Sequence, residues 1–327
     1  MRAVVCRTLG PPEALVVEDV KVRAPGPTEV RVAVKAAGVN FPDTLIIQGK
    51  YQFKAEPPFT PGAEVAGTVL EAGDKVKHVR AGDAVAAVVP HGGYAEEVIA
   101  PGDMVIPLPR GMDFKAAAGF PMVYGTAMHA LKQRAQLKAG ETLLVLGAAG
   151  GVGLAAVQLG KIMGATVIAA ASSAEKLALC KEHGADHGID YTQPGFKDAV
   201  KKLTKGQGAD VIYDPVGGEL TQDCFSCINW NGRFLVIGFA GKGDHDIPEI
   251  ALNRLLLKGA SAVGVFWGAF VMREPKINWE NFQQLFAWHA EGKLKPHVSK
   301  SYPLDQAPRA MRDMLERKVT GKVVLVP

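Results

Sequence analysis

Over the first 120 positions, short apolar runs rich in β-branched residues alternate with glycine and proline. Residues 30–36 (VRVAVKA), 64–71 (EVAGTVLE) and 84–89 (AVAAVV) are the clearest. Runs of this length separated by turn residues predict a compact, mostly β domain. After Pro121 the period changes. Strand-like segments at 142–147, 166–170, 209–213 and 233–237 alternate with helical segments at 154–163, 174–183, 196–203 and 220–228, and Gly184 stands where a helix would be capped. Such alternation predicts right-handed βαβ units and a doubly wound parallel sheet, an α/β architecture. A further strand at 261–266, an amphipathic helix at 278–291 and an apolar strand at 322–326 follow. Periodicity alone leaves open which domain this tail joins.

Composition changes the picture little. With 327 residues, 48% of them hydrophobic and 21% charged, the chain has room for two domains of ordinary globular make-up. The net charge of +4 is scattered, with no dense basic block, so nucleic acid is not the indicated partner. The N-terminal residues lack a secretory pattern, and the longest apolar stretch, 143–157, is glycine-rich and shorter than the ~20 residues a membrane helix needs. No membrane partner is expected. Cysteines at 6, 180, 224 and 227 are too few and scattered for a disulfide framework, which points to a reducing cytoplasm. The Cys224-x-x-Cys227 pair falls inside a helical segment and reads as two small buried hydrophobes.

The segment from Leu146 to Gly153 (LGAAGGVG) joins the first strand of the alternating region to its helix. That is where a dinucleotide site requires a glycine turn. Gly150 would let the backbone approach a pyrophosphate, Gly153 would let the helix pack on the strand, and the N–H groups of Gly151, Val152 and Gly153 would face the phosphates at a positive helix end. Ala148 replaces the first glycine of the usual G-x-G-x-x-G. NAD sites place an acid at the end of the second strand. Here Ser172 and Ser173 stand there and Lys176 follows, a combination that favours the 2′-phosphate of NADPH. Taken alone, Lys176 reads as a solvated helix residue, and Tyr191 reads either as an adenine neighbour or as a half-buried edge tyrosine.

Six segments in order carry a resemblance: GVNFPD (38–43), PGAEVAG (61–67), GGYAE (92–96), YGTA (124–127), the glycine turn, and YDPVGG (213–218). Together they resemble the zinc-free quinone oxidoreductase branch of the medium-chain dehydrogenase/reductase superfamily. That resemblance implies a GroES-like catalytic domain from both chain ends, 1–121 and 268–327, and an inserted Rossmann domain at 122–267. Zinc-dependent relatives carry cysteine where Asn40 stands and histidine where Ala63 stands, so metal catalysis is not expected. It implies hydride transfer from NADPH to a quinone or another α,β-unsaturated carbonyl, with an enoyl-CoA reductase or a non-catalytic NADPH-binding crystallin or scaffold as alternatives. Asn40 and Tyr51 become candidate donors to the acceptor oxygen, and Asp43 a residue that orders their loop. Gly238, Phe239, Ala240, Val265, Phe266 and Trp267 would border the nicotinamide, with core packing as the other reading of the two aromatics. Thr126 would support the nicotinamide or cap a helix. Relatives carry a tyrosine where Leu45 stands, which leaves solvent as a proton source. Pairing of the 261–266 strand across a two-fold axis would give a homodimer.

Overall fold

The computed structural model describes residues 1–241 and 247–327. In chain order the elements begin with β1 (Arg2–Val5), β2 (Val16–Asp19), β3 (Glu29–Val39), α1 (Phe41–Ile46), β4 (Glu64–Ala72), β5 (Ala84–Val88), β6 (Glu97–Pro101), β7 (Val105–Pro107), α2 (Phe114–Ala118) and α3 (Pro121–Met128). Then come β8 (Thr142–Val145), α4 (Gly151–Ile162), β9 (Thr166–Ala171), α5 (Ala174–Glu182), β10 (His187–Asp190), α6 (Phe196–Leu203), β11 (Ala209–Asp214), α7 (Leu220–Cys227) and β12 (Ile228–Val236). The last are α8 (Leu252–Lys258), β13 (Ser261–Gly264), α9 (Trp267–Arg273), α10 (Pro275–Ala290), β14 (Val298–Pro303), α11 (Ala307–Leu315) and β15 (Lys322–Val326).

Two compact units result, Met1–Met122 with Pro296–Pro327, and Val123–Lys295. The first is built on a seven-stranded sheet ordered β14-β15-β3-β4-β5-β7, with β6 also paired to β3. Its core is small and β-branched: Val30, Val32, Val65, Val85, Val98, Val323 and Leu325 are buried on strands that alternate in and out. The tail strand β15 runs antiparallel to β3, with Val323 opposite Val39, so it belongs to this unit as the resemblance implied.

The second unit is a six-stranded sheet ordered β10-β9-β8-β11-β12-β13, with every pairing parallel. Its inner strands are apolar on both faces, as a sheet covered by helices on each side requires: Leu143, Leu144 and Val145 of β8 are buried, as are Val211, Ile212 and Tyr213 of β11. The chain order reverses beside β8, the place where open α/β sheets bind ligands.

The domain limits expected at the second crossing are corrected. Residues 268–295 pack in the second unit rather than with the catalytic one. Phe270 of α9 stacks on His129 with ring centroids 3.9 Å apart, Asn281 of α10 accepts from Lys132 and Gln133, and the Gln158 amide holds Lys295 through both its backbone N–H and its carbonyl. Those partners are aromatic and polar side chains far apart in sequence, which periodicity does not reveal. The strand expected at 261–266 ends at Gly264, and α9 begins at Trp267.

Candidate functional site

The glycine turn lies between β8 and α4, and each glycine has a different reason to be there. Gly147 sits at φ +54°, in the left-handed region that side chains rarely adopt. A Cβ on Gly153 would lie 2.4 Å from the Gly147 carbonyl oxygen and 2.8 Å from Ala148 Cα, so only glycine lets α4 start this close to β8. At Gly150 a Cβ would meet one atom, the Gly147 oxygen at 3.3 Å, and otherwise point into open space. Gly150 therefore leaves a hollow for a ligand. It is the N-cap of α4 and offers no side chain, and the first helical hydrogen bond runs from Leu154 N–H to the Gly150 carbonyl. The N–H groups of Gly151, Val152 and Gly153 thus open the helix without helical acceptors, which is the arrangement that binds phosphate.

Strand β9 ends at Ala171 beside this turn, and no acid follows it directly. Lys176 Nζ donates to Ser172 Oγ at 3.2 Å. Ser173 caps α5, its Oγ accepting from Lys176 N–H at 3.3 Å. A capping hydroxyl still has its own hydrogen to donate. Two hydroxyls and an ammonium therefore gather at the end of β9. Tyr191, half-buried just past β10, hydrogen-bonds through its backbone N–H to Ala171 and packs against the core of this unit.

Other expected positions separate into two kinds. Gly238, Phe239 and Ala240 follow β12, tied to the neighbouring loop by Ala240 N–H to the Pro215 carbonyl at 3.0 Å. That loop is shaped by Asp214, whose carboxylate accepts from Val216 and Gly217 N–H, and whose pKa burial pushes up. Phe266 is exposed, and Val265 is buried. Trp267 is buried too: its ring stands where a Cβ on Gly125 would be, and its Nε1 donates to Asn278. That is core packing, the second of the two readings given for it. Thr126 lies half-buried inside α3, too far from its start to cap it.

The first unit holds a buried polar cluster. Asn40 follows β3 and caps α1, and its amide Nδ2 donates to Glu64 Oε1 at 2.9 Å. Lys322, from β15, donates to Asn40 Oδ1 at 2.6 Å and to the Val39 carbonyl at 2.8 Å, and is ion-paired with Glu64 Oε1 at 2.8 Å. Glu64 Oε2 accepts from Met122 N–H. Gly38 makes room for this carboxylate, since a Cβ there would lie 2.4 Å from Glu64 Oε1. Lys322 went unnoticed in the sequence because it lies 282 positions from Asn40. Glu64 was visible only as part of a matching segment. The one signal for either is a charged residue at a strand end within an otherwise apolar run.

Asp43 is fully buried beside them. Its Oδ2 accepts from Asn40 N–H and from the Tyr94 hydroxyl, both at 2.8 Å, while Oδ1 has no partner among the described residues. Burial drives its pKa up to about 6, against the lowering effect of those two donors. Tyr51 is half-buried against the same core, and its hydroxyl makes no hydrogen bond among the described residues. Burial and then the charge of Asp43 raise its pKa. No group of three or more His, Cys, Asp or Glu side chains among the described residues could hold a metal ion. Cys224 and Cys227 are free thiols buried in α7 and its end, with pKa values raised by burial.

Comparison with known proteins reaches the same place. The alcohol dehydrogenase GroES-like domain matches residues 26–110, and the zinc-binding dehydrogenase domain matches residues 151–290. The quinone oxidoreductase-like protein 2 homolog of Nematostella vectensis is 45% identical over 328 residues, which span 99% of this chain and 88% of the relative. The chain belongs to the medium-chain dehydrogenase/reductase family. This family member is also similar to the structure of Escherichia coli quinone oxidoreductase complexed with NADPH, with 29% identity, a TM-score of 0.92 and full coverage of both chains. A CurK enoyl reductase structure is 27% identical with a TM-score of 0.89, covering 99% of this chain and 98% of its own.

Proposed function

We propose that this chain is an NADPH-dependent reductase that delivers hydride to quinones or other α,β-unsaturated carbonyls without zinc. The observation that carries the reading is the open hollow at Gly150, at the mouth of α4, with Ser172, Ser173 and Lys176 at the end of the next strand. It fits a pyrophosphate and a 2′-phosphate. Bound NADPH supplies the hydride. The backbone N–H groups of residues 151–153 would hold the phosphates, and the loop at Gly238–Ala240, at the carboxyl end of β12 on the side of the sheet where such ligands bind, would border the nicotinamide.

Zinc-dependent relatives need a Lewis acid because they must draw charge from an alcohol oxygen. The donor set here is different in kind. Asn40 is an amide, and the Lys322 ammonium lies 2.6 Å from it, where it would repel a dication. An acceptor that is already electron-poor needs only hydrogen-bond donors for the charge that develops on its oxygen. Asn40 has one amide hydrogen left and Tyr51 has its hydroxyl. Both stand in the first unit with Asp43 ordering their loop.

The experiment is NADPH oxidation against a panel of quinones and enoyl-CoAs, with and without a chelator. Acceptor-dependent oxidation that survives chelation supports the reading. Loss of activity on chelation overturns its zinc-free part. Preference for enoyl-CoAs would favour the second reading, an enoyl-thioester reductase, for which the likeness to the CurK enoyl reductase speaks. Tight NADPH binding with no turnover on any acceptor would make it a binding protein.

We also propose a homodimer in a reducing cytoplasm. Strand β13 is a sheet edge with one side unpaired. Just before it in the chain, Leu252, Leu256 and Leu257 of α8 are 76%, 79% and 72% exposed, a cluster of apolar side chains of the kind that marks protein–protein contact sites. All four cysteines are buried thiols, and none of the described helices is long and apolar enough to cross a membrane.

A further inference from the structure

Lys322 is buried along its whole length, and its ammonium carries three hydrogens. Two are donated, to the Val39 carbonyl and Asn40 Oδ1, and the ammonium is ion-paired with Glu64 Oε1 at 2.8 Å. Buried, hydrogen-bonded to two oxygens and paired with a carboxylate, the lysine acts on its neighbours rather than on an acceptor molecule. Its partners also fix the Asn40 amide from both ends. A lysine only donates, so the Asn40 atom facing it is oxygen. A carboxylate only accepts, so the Asn40 atom facing Glu64 is nitrogen. Of the two amide hydrogens, one goes to Glu64, and the other has no partner among the described residues. A positive charge 2.6 Å from Oδ1 draws density out of the amide and makes that remaining N–H a stronger donor.

We propose that Lys322 is a positioning residue for hydride transfer, holding and polarising Asn40 so that its unengaged N–H meets the acceptor oxygen as that oxygen becomes negative. The proposal rests on Asn40 being the donor. In the step, a hydride given up by NADPH, which leaves as NADP+, forms a new C–H bond at the carbon conjugated with the carbonyl; the carbon–carbon π pair shifts toward the carbonyl carbon and the carbonyl π pair moves onto the oxygen. Asn40 keeps its hydrogen throughout. The oxygen, or the carbon conjugated with it, takes its proton from solvent water afterwards.

The test is a double-mutant cycle read in kcat, NADPH affinity and melting temperature. Asn40→Ala should lower kcat on the order of 100-fold, the size seen when an oxyanion donor is removed. Lys322→Met should lower kcat at least tenfold while NADPH affinity holds within twofold. Combined, Asn40→Ala and Lys322→Met should be no slower than Asn40→Ala alone, because the lysine acts only through the amide. Lys322→Arg, which keeps a buried cation, should recover part of the loss. Since Lys322→Met leaves the Glu64 carboxylate buried without its cation, the cycle is repeated with the double substitution Glu64→Gln/Lys322→Met in place of Lys322→Met, so that no charge is stranded. Multiplying effects in the cycle, or full kcat in Glu64→Gln/Lys322→Met, overturn the proposal. Full kcat in Asn40→Ala overturns the donor reading beneath it, and is a separate result.

Discussion

Asp43 is the residue where burial and charge conflict most directly. Its carboxyl titrates near 3.8 when solvated and about 6 in the fold, because desolvation outweighs the two donors on Oδ2. A raised folded value means the neutral form is favoured in the fold. Its contribution to stability is therefore full below about pH 4 and is lost as pH rises through about 6, by roughly 3 kcal/mol in all. Asp43→Asn keeps an oxygen for Asn40 N–H and Tyr94. It should flatten the dependence of melting temperature on pH between 4 and 7; an unchanged slope would place the titration elsewhere. Tyr51→Phe removes only a hydroxyl without a partner among the described residues. If that hydroxyl donates in the transition state, kcat falls about tenfold or more with NADPH affinity intact. Lys176→Ala should weaken NADPH binding at least tenfold while NADH binding barely changes, by titration of each nucleotide. Equal losses would remove the 2′-phosphate assignment.

At the scale of elements, the glycine turn was legible because its residue types follow from backbone geometry that any such strand–helix junction shares. Gly153→Ala tests that geometry. The new methyl would press on the Gly147 carbonyl at 2.4 Å, so α4 must shift, at a cost of about 1–3 kcal/mol. Both melting temperature and NADPH affinity should fall; retention of both would mean α4 has slack that the close contact denies. Strand ends were less legible. Strand β12 starts at Ile228, five residues before the apolar run at 233, because its first part crosses Asn231 at φ +57° and pairs with Ala209 across a shift in register. Polar residues at a bulge carry no strand period. Tertiary contact overrode pattern again in α9, whose Trp267 and Phe270 are core side chains rather than strand or loop residues. Nor does any local signal couple Lys322 to Asn40 and Glu64, since the three come from separate strands and their ends.

On the scale of the whole molecule, the alternating half of the chain announced its parallel sheet, while the resemblance placed the tail strand in the right unit and the helices before it in the wrong one. Helices α9 and α10 are bound by pairs such as Phe270 with His129 and Asn281 with Gln133, and neither pair has a sequence period. Assembly is testable on the exposed leucines. Leu256→Lys puts a charge on a helix face 79% exposed at that residue, so a monomer would be unaffected, whereas a dimer closed over this face should fall to half its mass by light scattering. An unchanged mass would exclude α8 from the contact.

Because β15 sits between β14 and β3, the first unit's sheet is completed by a strand made only after the whole second unit has been synthesised. During translation the NADPH-binding half can fold while the other half waits with a gap beside β3 and Asn40 without its cation. If Lys322 positions Asn40 as proposed, a nascent chain stopped before residue 322 lacks both that cation and the strand that pairs with β3, so hydride transfer would have to wait for the last residues to be made.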